Sequence, residues 1–155
     1  MIQRMQTVYL LLTTILSVGF LNGHIIKFAE GPKNVLYVGS DGIRIMDNIG
    51  GSETIWILLL LTSLIVLIVL ISLITVFLYR KRKIQMKLAA GLIVLVCLLI
   101  LAAAYYYISV TMKYSGEIKP GINVIILPIL LVLSYLAYRG IKKDEELVKS
   151  YDRLR

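Results

Sequence analysis

TIWILLLLTSLIVLIVLISLITVFLY, residues Thr54 to Tyr79, runs its whole length without a charged side chain. At about 1.5 Å of rise per residue it makes a helix of about 39 Å, enough to cross a hydrocarbon layer of about 30 Å with some tilt. Two further runs have the same character. LAAGLIVLVCLLILAAAYYYISVT covers Leu88 to Thr111, and a shorter one from Ile122 to Tyr138 carries Pro128. That proline removes a backbone donor and crowds the carbonyl of Val124, which predicts a bend. The remaining apolar run, Tyr9 to Leu21, extends back through the residues before it. Arg4 ahead of it raises the question of a signal peptide, but Gly19-Phe20-Leu21-Asn22-Gly23 supplies no convincing small-x-small cleavage site.

The fold class that follows is an all-α membrane protein. It is a single integral membrane domain, residues 1–155, built as a four-transmembrane-helix bundle with spans at about 5–22, 54–79, 88–111 and 122–138. Composition agrees: of 155 residues, 59% are hydrophobic and 17% charged, against about half and a quarter in soluble domains.

Lysine and arginine set the expected orientation. Arg80, Lys81, Arg82, Lys83 and Lys87 crowd the connection between the second and third spans, with no acid among them. The tail 139–155 adds Arg139, Lys142, Lys143, Lys149, Arg153 and Arg155. The loop 23–53 sets Lys27, Lys33 and Arg44 against Glu30, Asp41, Asp47 and Glu53. Basic residues stay on the cytoplasmic side, so both termini and the Arg80–Lys87 connection are expected there. Trp56 and Tyr105-Tyr106-Tyr107 fall near the outer interface, and Tyr79, Tyr135 and Tyr138 near the inner one, as aromatic belts do. The net charge of +8 is thus explained by topology and attraction to membrane lipids. Nucleic acid is not expected as a partner.

In the outer loop, VLYV and IRIM flank Gly39-Ser40-Asp41-Gly42, a pattern that predicts a small β-hairpin, with HIIKF as a candidate third strand. A hairpin alone is marginal in water and needs support from the helix ends or a partner.

The spans lack the residues chemistry would require. They contain no Asp, Glu, His, Lys or Arg, whereas ion-coupled carriers keep an ionisable group within the membrane. Cys97 is alone in an apolar stretch, which fits a small hydrophobe rather than a metal ligand. His24 has no second histidine, so a bis-histidine haem cannot be built from one chain, and it reads as an interfacial polar residue rather than a ligand or an acid–base group. No catalytic residue, metal or cofactor is expected, and the chain is read as not an enzyme.

Two weaker patterns remain. Gln6, Thr13 and Ser17 fall on nearly one face of the first span, where polar side chains hydrogen-bond neighbouring helices. In the tail, Leu147, Val148, Tyr151 and Leu154 gather with Ile141 on one side of a helix. Lys142, Glu145, Glu146, Lys149, Asp152 and Arg153 take the other, while Asp144, Arg155 and the border residue Lys143 spoil the apolar side. This predicts a C-terminal cytoplasmic amphipathic helix that docks a partner or the inner lipid surface. The alternative is a solvated charged end.

Both ends of the chain also resemble a known family. MIQR-x-QT-x-YLLL over Met1 to Leu12 and KKDE-x-LV-x-S-x-DRLR over Lys142 to Arg155 are similar to small four-span inner-membrane proteins of Bacteroidota. These are grouped as domain-of-unknown-function family 4293. Tyr151 stands where that family more often has a small residue. The resemblance implies a Gram-negative inner membrane and a periplasmic first loop, and supplies no activity or substrate.

The expected role is a non-catalytic accessory or structural subunit of a larger inner-membrane complex, contacting other integral membrane subunits or further copies of itself. A small channel or carrier for an uncharged solute is the competing expectation.

Overall fold

A computed structural model of the chain describes residues 5–21, 24–30, 34–39, 42–44, 52–78, 81–113, 117–121 and 123–153. Four helices carry it: α1 Met5–Leu21, α2 Ser52–Phe77, α3 Arg82–Lys113 and α4 Asn123–Arg153. By length and composition, three contain a stretch able to cross a membrane: Leu59–Phe77, Ile84–Ser109 and Asn123–Leu147. At 17 residues α1 is apolar but shorter, about 26 Å at the usual rise.

The helices pack in a ring, each against its sequence neighbours, with α4 closing onto α1. The buried positions alternate steps of three and four. On α1 they are Gln6, Leu10, Thr13, Ser17 and Phe20. On α2 they are Leu61, Ile65, Ile68, Ser72 and Thr75. On α3 the seam runs Gln85, Ala89, Leu92, Val96, Leu99, Ala103, Tyr106, and on α4 Asn123, Leu127, Leu130, Ser134, Ala137, Ile141. A mean step of 3.5 is that of left-handed helix bundles, whose seams then stay turned toward their neighbours. Leu59, Leu70, Val94, Leu101, Ile125 and Val132 face outward and are exposed. In water such a surface would be a liability. Against lipid it is the expected exterior.

Three short strands follow α1: β1 His24–Glu30, β2 Asn34–Gly39 and β3 Gly42–Arg44. A fourth, β4 Glu117–Pro120, comes from the connection between α3 and α4. The strands form one antiparallel sheet in the order β3-β2-β1-β4. The small hairpin expected around Gly39–Gly42, with HIIKF as its candidate third strand, is thus extended by β4 into a four-stranded sheet. Gly39 pairs with Gly42, and β1 pairs on its other edge with β4. Four strands reach the size at which a sheet can support itself. Pairing Phe28 with Ile118 also ties both connections to the same end of the bundle. The start of α1, the α2–α3 turn and the end of α4 lie at the opposite end.

Two boundaries differ from the sequence reading. The basic connection is mostly helical, because α3 begins at Arg82. The fourth span and the tail are one uninterrupted helix of 31 residues that continues through Pro128 and Gly140. The separate amphipathic tail helix is therefore corrected. Nothing between Arg139 and Glu146 stops a helix except the single Gly140, whose cost there is about 1 kcal/mol. Burial of Ile141 and Glu145 along the same seam carries the helix onward.

Candidate functional site

The interior is not uniform along its axis. The apolar cluster of Phe20, Leu61, Ile65, Ile68, Val96, Leu99, Tyr106 and Leu130 fills the half nearer the sheet. Toward the other end polar side chains join buried apolar ones such as Leu10, Leu92 and Ile141: Thr13, Ser72, Thr75, Gln85, Ser134, Gln6 and Glu145. This half is the candidate functional region.

Between α1 and α2, the buried Ser72 hydroxyl donates to the Leu10 carbonyl at 2.8 Å. Thr14 Oγ1 lies 2.9 Å from that carbonyl and 2.9 Å from Ser72 Oγ, so its one proton serves either acceptor. Thr13 donates to the Tyr9 carbonyl in its own helix at 2.8 Å. At the α2–α3 turn, Gln85 Nε2 donates to the Thr75 carbonyl at 3.2 Å. This satisfies one of the carbonyls a helix end leaves without a partner. Asn123 does the same at the sheet end, donating to the Phe20 carbonyl at 3.0 Å. It fastens the start of α4 to the end of α1.

The sequence-marked face of α1 is thus buried in full: Gln6, Thr13 and Ser17 all point into the bundle. Gln6 Nε2 donates to Asp144 Oδ2 at 2.8 Å. Gly140 allows that approach, since a Cβ added there would lie 3.3 Å from Gln6 Cβ. Two buried atoms, Gln6 Oε1 and Ser17 Oγ, have no hydrogen-bond partner among the described residues.

The tail divides differently from the sequence expectation. Glu145, placed on its polar side, is 8% exposed, while Leu147, placed on its apolar side, is 50% exposed. Lys142 and Glu146 form an exposed i, i+4 pair at 3.9 Å, worth little in water. Val148 and Tyr151 lie on the last turns of α4, and Leu154 falls outside the described residues. Of the basic set, Arg80 is outside the described residues, Lys81 precedes α3, and Arg82, Lys83 and Lys87 lie on its first turns. Lys81 and Lys87 are exposed.

The profile of a domain of unknown function, DUF4293, matches residues 2–154. The chain belongs to the DUF4293 family. That span takes in all four helices and the sheet, so the family domain is the bundle itself. No curated protein and no solved structure matches the chain. Among the described residues of this DUF4293 chain, no three His, Cys, Asp or Glu side chains gather as a metal site would require.

Sequence reasoning missed Ser72, Thr75, Gln85, Asn123, Ser134 and Glu145 as interior groups. A usable signal existed in the step from Leu61, Ile65 and Ile68 to Ser72 and Thr75. It is faint because the outward face of the same helix is equally apolar.

Proposed function

We propose that the chain is a non-catalytic accessory or structural subunit of a larger bacterial inner-membrane assembly. It crosses the membrane four times, with both termini and the Arg80–Lys87 turn in the cytoplasm and the sheet in the periplasm. Three long apolar helices support the membrane placement. The shorter α1 joins them because its polar seam is buried against α2 and α4, where lipid offers no hydrogen bonds.

One observation carries the accessory role. Past the Gln6–Asp144 contact, α4 continues to Arg153, about 13 Å of further helix, and Leu147 on it is half exposed. A helix end that presents an apolar side chain suits docking on another subunit. A channel through one chain fits less well, because Leu10, Phe20, Leu61, Ile68, Leu92 and Leu99, all at 0% exposure, fill the bundle.

The test is purification of the tagged full-length chain in mild detergent from its native host, with mass spectrometry of what accompanies it. Stoichiometric membrane partners are expected, and they should be lost from a chain ending at Leu147. Recovery as a lone monomer contradicts the proposal. Solute flux through liposomes holding the pure chain would favour the channel instead.

A further inference from the structure

On the outer face of α4, Val124, Pro128, Leu131, Tyr135, Tyr138 and Lys142 follow one another at steps of four and three. They therefore share one side of the helix. The upper part of this face forms a groove of about 580 Å³ with α3, whose small Ala103 and Ala104 leave the space opposite Pro128. Apart from Tyr107, the side chains that line the groove are apolar. The lower part forms a second depression of about 430 Å³ lined by Tyr135, Tyr138, Arg139, Lys142, Lys143 and Glu146.

We infer that these two depressions bind one anionic phospholipid, with an acyl chain along the α3–α4 groove and the phosphate headgroup at Arg139, Lys142 and Lys143. The inference rests on the membrane reading proposed above. Three observations commit the face to this occupant. Its charge is complementary to an anion: three cations stand against Glu146, which is already paired with Lys142. Its depth suits a chain that reaches the near end of the groove, since Leu131 and Arg139 are eight residues apart, about 12 Å and so within one leaflet of a 30 Å core. Its order is also right, because two tyrosines stand between the apolar groove and the cations, at the level where their rings favour the headgroup region. Basic pockets of this kind at the cytoplasmic side are suited to acidic headgroups. A zwitterionic lipid offers the same phosphate but brings an ammonium against the three cations.

The test is native mass spectrometry of the full-length protein in detergent, titrated with dioleoyl phosphatidylglycerol or dioleoyl phosphatidylcholine. Phosphatidylglycerol is expected to be retained about tenfold better or more, given two net positive charges at the site. The triple variant R139Q/K142Q/K143Q should fall to the phosphatidylcholine level, while K142R/K143R keeps the preference and controls for folding. A104W, which fills the groove, should weaken both lipids. Equal retention of the two lipids by the unaltered protein overturns the inference. So does an undiminished preference in the triple variant, or a loss of preference in K81Q/K83Q/K87Q in its place. Extraction of membranes with alkaline carbonate separates the two levels. A chain released by carbonate refutes the membrane reading itself, whereas one retained without lipid preference refutes only this site.

Discussion

Ser72 is the side chain on which the α1–α2 contact turns, because its hydroxyl enters the backbone of the neighbouring helix at Leu10 and also meets Thr14. Hydrogen bonds between helices in membranes are worth about 0.6 kcal/mol on average and about 1.7 at most. Ser72→Ala should therefore lower thermal stability in detergent measurably without unfolding the chain, and Ser72→Leu should cost more, about 1–3 kcal/mol, by forcing the helices apart. Gly140 is the second such position. Gly140→Leu would drive a side chain into Gln6, with an expected loss of about 1–3 kcal/mol read as a lower melting temperature; an unchanged value would mean that α1 and α4 are not in contact there. The face of Gln6, Thr13 and Ser17 was legible from helical periodicity alone, since polar residues in an apolar run stand out. Glu145 was not, because sorting the tail by polarity puts it on the outer side. Its burial follows from the uninterrupted continuation of α4, which no single residue announces.

Helix α4 shows what the chain's own punctuation hides. Pro128 was expected to bend the fourth span and the tail from Arg139 was read apart from it, yet one helix runs through Pro128 and Gly140, held by Leu127, Leu130, Ile141 and Glu145 on its buried seam. A cut within the tail thus has two different meanings. A chain ending at Leu147 keeps Asp144 and Glu145 in place and should match the full chain in melting temperature while losing docked partners. A chain ending at Lys143 also removes the Gln6–Asp144 bond, and should melt lower by the equivalent of about 1 kcal/mol or more. Equal melting of all three chains would show that the end of α4 does not brace α1. The inward faces of α2 and α3 were illegible for a related reason. In a soluble helix the core face is recognised by contrast with a polar face. Here both faces are apolar and the contrast is gone, leaving only Ser72, Thr75 and Gln85 as markers.

Taken whole, the chain has two unlike ends. One carries the sheet, which joins the connection after α1 to that between α3 and α4 through the β1–β4 pairing, over an apolar core. The other carries the basic residues Lys81 to Lys87 and the charged end of α4 over an interior where polar and apolar side chains mix. The helical class and the position of the apolar runs were readable in the sequence, because length without charge is a strong signal. The fourth strand was not, since EIKP is short and its partner lies far away in the chain. The central claim is that these ends face opposite sides of a bacterial inner membrane across four spans. Thiol labelling of intact cells tests it most directly, with single cysteines introduced into a Cys97→Ser background at Gln3, Ser40 and Lys81. The account predicts that a reagent unable to cross the inner membrane modifies Ser40→Cys at once, and modifies Gln3→Cys and Lys81→Cys only after the cells are permeabilised. Labelling of Gln3→Cys in intact cells would leave α1 outside the membrane and contradict the four-span bundle, and labelling of Lys81→Cys would contradict the orientation.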